Sequence, residues 1–148
     1  MRDDICAEST PTTPLLIIDF FDAENPAEPK AVNNLALVVS DDPERARLFP
    51  AATTIEIPLQ TGEGINATSF NFILNAGEDD IAEPNIDTVV FSYIQVEEYV
   101  RKACGFRVIY TTLDSQINPQ DDGFWIDELQ IINPTIEDET TAHVRIFH

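Results

Sequence analysis

Two-residue alternation of apolar side chains, in runs no longer than a strand, constrains this chain more than any other feature. In Thr54–Leu59, Ile55, Ile57 and Leu59 fall on one side and Thr54, Glu56 and Pro58 on the other. Thr68, Phe70, Phe72 and Leu74 repeat the pattern against Ser69 and Asn71. Val89, Phe91 and Tyr93 do so against Thr88, Val90, Ser92 and Ile94. Successive strand side chains point to opposite faces, so this period buries one face of a sheet and suits no helix.

The remaining apolar runs are of strand length as well. Leu15–Phe21 is strongly apolar, with Asp19 expected at an edge or in solvent, and Leu35–Val39 is continuous enough to predict burial on both faces. Phe106–Thr111 and Trp125–Ile132 are further strands. A closing strand over Ala142–Phe147 places Ala142, Val144 and Ile146 inward and His143, Arg145 and Phe147 on the other face. Pro58 cannot donate to a ladder, which sends its strand to an edge.

Turn signals separate these runs. Asp22–Lys30, Gln60–Ile65, Ala76–Pro84, Asp114–Gly123 and Pro134–Glu139 are rich in Gly, Pro, Asn, Asp or Glu and read as loops. Ser40–Pro50 is expected to hold one helical turn, with Ser40 or Asp41 as N-cap and Pro43 in the first turn. Val96–Ala103 reads as either one helical turn or a bulged strand. The expected fold is all-β: a single β-sandwich of about eight antiparallel strands over 15–148, preceded by an extended leader over 1–14. It is immunoglobulin-like but not of antibody type, because Trp125 follows the second cysteine instead of lying between the two.

Charge excludes several partners. The 148 residues carry 27 Asp and Glu against 8 Lys and Arg, a formal net charge of −19. Such a surface repels nucleic acid and anionic lipid, and favours solubility, cations or basic partners. No apolar run reaches the roughly 20 residues of a membrane-spanning helix. Arg2, Asp3 and Asp4 follow Met1 directly, which is no secretory signal. A polar leader feeding straight into a strand is the expected start of an exported domain whose signal has been replaced by a methionine.

Two cysteines, Cys6 and Cys104, lie nearly a hundred residues apart. A disulfide between them would tether the stretch Ile5–Asp22 to the sheet, worth roughly 4 to 5 kcal/mol in the chain-entropy picture. The alternatives are two buried free thiols, or a reactive Cys104 near Arg101 and Lys102. Export favours the disulfide.

Chemistry-bearing motifs are sparse. His143 and His148 are expected on opposite faces of the closing strand, and no CxxC occurs, so no zinc site and no cofactor are expected. The acidic runs Glu78–Asp80, Asp121–Asp122 and Glu137–Glu139 lack calcium-loop spacing and read as solvated turns. Asn66–Thr68 matches a glycosylation acceptor, a tripeptide common by accident. Aromatic side chains are the best handle for a ligand. Trp125 with Phe124, and Tyr99 near Tyr93, make a candidate platform for a sugar or peptide. A core role for Trp125 is the competing reading.

The segments DDIC, TPTTPLLIIDFFD and FSYIQVEEYVRKACGF together resemble a family of uncharacterised lipoproteins from Bacteroidetes-type Gram-negative bacteria. The correspondence falls on Asp3, Asp4 and Cys6, on Thr13, Pro14 and Asp22, and on Tyr93, Cys104, Gly105 and Phe106. The resemblance implies an N-terminal lipid on a further cysteine ahead of Cys6, a place on the periplasmic or outer face of an outer membrane, and no assigned reaction. The expected function is a non-catalytic envelope module, monomeric, that binds or scaffolds an envelope protein or glycan. The alternatives are sugar or peptide recognition through exposed aromatics, and a hydrolase built on a carboxylate pair.

Overall fold

The computed structural model describes residues 13–40, 42–74, 85–101, 105–119 and 125–148. Cys6, Cys104 and Phe124 lie outside them, as do the acidic runs at 78–80 and 121–122 and most of the expected leader. Nine strands occur among the described residues: β1 Leu16–Phe21, β2 Val32–Val39, β3 Asp42–Ala52, β4 Thr54–Ile57, β5 Ala67–Leu74, β6 Asn85–Arg101, β7 Gly105–Pro119, β8 Glu128–Ile131 and β9 Val144–Phe147. They form two sheets, ordered β4-β1-β9-β8 and β3-β2-β5-β6-β7, packed as an all-β sandwich.

The pairing is antiparallel except in one place. β1 and β9 run parallel, Ile18 opposite Val144 and Phe21 opposite Phe147, which corrects the expectation of a wholly antiparallel sandwich. This pairing puts β1 at the centre of its sheet, and Leu16, Ile17, Ile18 and Phe20 are all buried. Asp19 is accommodated by accepting the Thr54 hydroxyl from edge strand β4 at 2.7 Å. Pro58 follows directly after that edge strand, as its missing N–H demands.

Between the sheets, Phe70 meets Phe72 and Phe91 edge-on at centroid distances of 6.3 and 6.2 Å. Leu16, Ile18, Phe20, Leu35, Ile57, Ile126, Ile136 and Ile146 are among the fully buried side chains around them. Each such side chain contributes about 1.5–3 kcal/mol of transfer free energy.

Three local expectations are overturned. Ser40–Pro50 forms no helical turn: Asp42–Ala52 is the edge strand β3, paired to β2. An edge strand tolerates Pro43 and Pro50, and the ladder that β2 offers outweighs local propensity. Asn34, at φ 49°, falls in the register gap opposite Pro50. β2 itself alternates, with Leu35, Leu37 and Val39 buried and Ala36 and Val38 only partly so; it has one core face instead of two. Asp114–Pro119 continues β7 as a strand, because β6 supplies a partner through Asp87. Val96–Arg101, left open between helix and strand, is strand.

Candidate binding surface

Strands β6 and β7 are the longest of the molecule, and their hairpin carries most of the exposed apolar bulk. Six large hydrophobic residues stand exposed among the described residues, and four of them, Ile94, Val96, Tyr99 and Phe106, belong to this hairpin. The hairpin has two irregularities, one between Tyr99 and Arg101 at its outer end and one that sets its geometry up to Tyr99. Between Ser92 and Ile94 the register advances two residues on β6 and three on β7, from Asp114 to Thr111. The extra residue is a bulge at Thr112, whose φ of 57° is rare for a β-branched side chain. The bulge lets Tyr110 and Leu113 both face the core while β6 keeps its alternation.

Along the inner face of β6 the side chains are therefore Tyr93, Gln95, Glu97 and Tyr99, with Tyr110, Val108 and Phe106 opposite on β7. The core ends at the first pair. Tyr93 and Tyr110 are buried and pack edge-on at 5.0 Å. The Tyr93 hydroxyl donates to the Gln60 carbonyl at 2.6 Å and lies 2.6 Å from the Thr68 hydroxyl, which accepts the Gln60 N–H at 2.9 Å. Burial raises the Tyr93 phenol, against the lowering effect of Thr68 and Gln60. Burial, with the neighbouring Tyr93, pushes Tyr110 up to about 12.

Gln95, the next residue on this face of β6 and the cross-strand partner of Tyr110, clasps the 60–66 loop. Its Oε1 accepts the Gly62 N–H at 3.1 Å, and its Nε2 donates to the Gly62 carbonyl at 2.9 Å and to the Ile65 carbonyl. The loop turns through Gly62 and Gly64 at φ 140° and 78°, conformations that favour glycine. Beyond Gln95 nothing described covers the inner face. Tyr99 and Phe106 are 60% and 63% exposed and meet edge-on at 5.6 Å. An open groove of about 730 Å³ runs along the loop and reaches Glu97 and Val108, the pair next to these rings on the hairpin; its walls also include Glu63 and Ile65.

The opposite face of the hairpin is tied down. Arg107 meets the Glu98 carboxylate through Nε and Nη2, each at 2.9 Å, and donates to the Glu137 carbonyl from Nη1 at 2.8 Å. Glu97 thus has no described cationic side chain beside it on the groove side. The Val108 N–H donates to the Thr13 hydroxyl at 3.0 Å, bringing the chain entering β1 alongside β7.

The predicted aromatic platform is divided by this geometry. Tyr99 is free on the hairpin. Tyr93 is core. Trp125 stands by Asp87, at the other end of β6 from Tyr99: its backbone N–H and that of Ile126 donate to Asp87 Oδ2 at 2.9 and 2.8 Å, and its ring N–H donates to the Phe72 carbonyl at 2.9 Å. Phe106, paired with Tyr99 across the strands, was missed as a ligand residue. Its exposure follows from how far the hairpin outruns the other sheet, which no local pattern records.

Trp125 lines a second cleft, of about 690 Å³, with Asp22, Glu24, Lys30, Asp127 and His148. Much of its polar lining is engaged internally. Lys30 Nζ donates to the His148 carbonyl at 3.2 Å, the Lys30 carbonyl meets His148 Nε2 at 3.0 Å, and Asp22 Oδ1 accepts the Glu24 N–H at 2.9 Å. Glu24 and Asp127 are exposed, and Asp22 is half-buried.

The histidines are packed apart. His143 is fully buried and accepts the Ile17 N–H on Nδ1 at 3.0 Å, which corrects its expected place on the outer face. Burial holds both imidazoles below their usual pKa. Among the described residues no three His, Cys, Asp or Glu side chains cluster as metal ligands. The acidic run at 137–139 serves the fold. Asp138 Oδ1 accepts from both the N–H and the hydroxyl of Thr140, which lowers its pKa, and Glu139 Oε1 accepts the Leu15 N–H at 3.0 Å. The glycosylation tripeptide ends in Thr68, whose side chain is buried.

Residues 38–148, about three-quarters of the chain, match the model of a family of unknown function. No curated protein and no solved structure matches the chain.

Proposed function

This chain belongs to that family of unknown function, DUF6452, and from that premise we propose that it is a non-catalytic binding module of the cell envelope, held in its native form by an N-terminal lipid on the outer membrane. One observation carries the binding role: the β6–β7 hairpin outruns the sandwich and leaves the Tyr99–Phe106 pair uncovered beside an open groove. A cross-strand aromatic pair adds at most about 1 kcal/mol to a hairpin, less than burying the two rings would, whereas aromatics dominate recognition surfaces. The ligand is an envelope protein or glycan, and the finer reading is peptide or carbohydrate recognition through Tyr99 and Phe106.

The Cys6–Cys104 disulfide belongs to the same proposal. The Thr13–Val108 hydrogen bond supports it by setting the two chain segments side by side, seven residues from one cysteine and four from the other. Oxidised pairing fits an exported protein.

The test is photo-crosslinking in cells that make the protein, with p-benzoylphenylalanine at position 106 and, as control, at the exposed Leu48 of β3. A discrete adduct in the envelope fraction from position 106 alone is expected. No adduct, or equal adducts from both positions, removes the binding role. Denaturing alkylation of the same fraction should modify two thiols only after reduction; two thiols free without reductant would return the protein to a reducing compartment.

A further inference from the structure

We propose that the uncovered inner face of the β6–β7 hairpin takes a basic, extended peptide segment, its cationic side chains set between Glu63, Glu97 and the Tyr99–Phe106 rings. The inference rests on the binding role above and names the partner's chemistry.

Three observations converge on it. The first is shape. The groove between the 60–66 loop and the hairpin is open, and one wall is the strand face that carries Tyr93, Gln95 and Glu97; Tyr99 is the next residue on that face, beyond the groove's end. A face of that kind meets an extended chain residue by residue, since alternate side chains of both point toward each other. The floor is rigid. Gln95 ties the loop to β6, and the Tyr93, Thr68 and Gln60 hydrogen bonds tie it to the core.

Charge is the second. Glu63 and Glu97 are the charged residues lining the groove, and both are exposed. Arg107, the described cation on this stretch of the hairpin, is turned to the opposite face and bound by Glu98 and the Glu137 carbonyl. Arg101 and Lys102 are close in sequence, but the chain as a whole sets 27 acids against 8 bases. The long-range field therefore draws cationic segments in and repels acidic ones.

The third is the pairing of aromatics with acids. Tyr99 and Phe106 are more than half exposed, and a T-shaped pair leaves ring faces open. Lysine and arginine lie over such faces within about 6 Å while their methylene stems cover neighbouring apolar surface, here Val108, Ile65 and Ile94. The Glu97 carboxylate, two residues from Tyr99 on the same strand face, then meets a charged head, and Glu63 on the loop meets another. Neutral sugar would stack on the rings and donate hydroxyls to the acids but gain nothing from the long-range field, and an acidic peptide would be repelled by it.

The probe is a fluorescein-labelled KWKWK peptide, titrated against the intact protein by anisotropy at physiological salt, with EWEWE as counter-probe. Saturable one-to-one binding of KWKWK is expected, with a Kd on the order of tens of micromolar for so small a contact. The Tyr99→Ser/Phe106→Ser variant should weaken it about tenfold or more, and Glu97→Lys by a similar factor. Glu128→Lys makes the same charge change on exposed β8 and should weaken it less than about twofold. All four positions are exposed, and circular dichroism checks each fold. Equal losses from Glu97→Lys and Glu128→Lys would mean attraction to net charge alone and overturn the proposal. So would comparable binding of EWEWE, or concentration-dependent dimerisation that the Tyr99→Ser/Phe106→Ser variant abolishes. If the position-106 crosslink persists while KWKWK fails, the binding role stands and the basic-segment chemistry falls; if both fail, both fall.

Discussion

The buried carboxylate of Asp87 on β6 accepts the backbone N–H of Trp125, and through the same oxygen that of Ile126, fastening the chain that leads into β8 onto the other sheet. Neither N–H has a strand partner, so the side chain substitutes for a missing ladder. Asp87→Ala should destabilise the fold by about 3 kcal/mol, because two inward-facing donors lose their acceptor. Urea unfolding reads it as a lower midpoint at unchanged slope. A change under about 0.5 kcal/mol would mean the clamp is dispensable.

Tyr93 and Thr68 form a closed hydroxyl pair at the boundary between core and groove. Tyr93→Phe and Thr68→Val should each cost about 1–2 kcal/mol, and the double variant less than their sum. Removing both hydroxyls leaves fewer orphaned partners than removing one. Strict additivity in a double-mutant cycle would refute the pairing.

Tyr110 links stability to alkaline pH. Its phenol titrates near 12 in the folded protein, above the 10.0 of the free side chain. The contribution is fully present below pH 10 and is lost as pH rises toward 12, because the unfolded chain gives up the proton first. Thermal melts between pH 9 and 11 should show a falling Tm whose slope is reduced in Tyr110→Phe. An unchanged slope would exclude Tyr110 as its source.

His143 works in the acid direction. Desolvation lowers its pKa, and its Nδ1 is occupied as an acceptor of the Ile17 N–H. Protonation would set two donors against each other. The unfolded chain therefore binds the proton first, and stability should decline as pH falls below about 6.5. His148, lowered likewise, adds a second such group. His143→Asn keeps an acceptor in place of Nδ1 and should flatten part of the decline between pH 7 and 5, leaving the His148 share. Parallel stability–pH curves for the variant and the natural chain would contradict this.

Gln95→Ala tests the rigidity of the groove. Three hydrogen bonds to the 60–66 loop disappear together. Exchange of the Gly62 amide should accelerate at least about tenfold while core amides on β5 keep their protection. Uniform acceleration throughout would point to global destabilisation instead.

The strands were legible wherever one face is buried and the other is not. β4, β5 and the first half of β6 alternate in the sequence as they do in the fold, and Pro58 marks an edge correctly. Reading failed where a neighbour supplied the reason for structure. Asp42–Ala52 carries two prolines and four charged residues, yet β2 recruits it as an edge strand. Asp114–Pro119 looks like a turn, but β6 pairs with it. His143 was assigned outward by alternation, although β9 begins only at Val144. Of the aromatic candidates among the described residues, Tyr99 is the one more than half exposed, and its partner Phe106 passed unnoticed.

The amino-acid order alone determined an all-β chain with a single core and a strongly acidic surface, because apolar period and charge are local quantities. Only the tertiary structure decided that β1 and β9 lie parallel, that Tyr93 is core while Tyr99 is free, and that Glu97 and Arg107 face apart. Those outcomes depend on where one sheet ends relative to the other and on the bulge at Thr112, which sets the register from Ile94 to Tyr99.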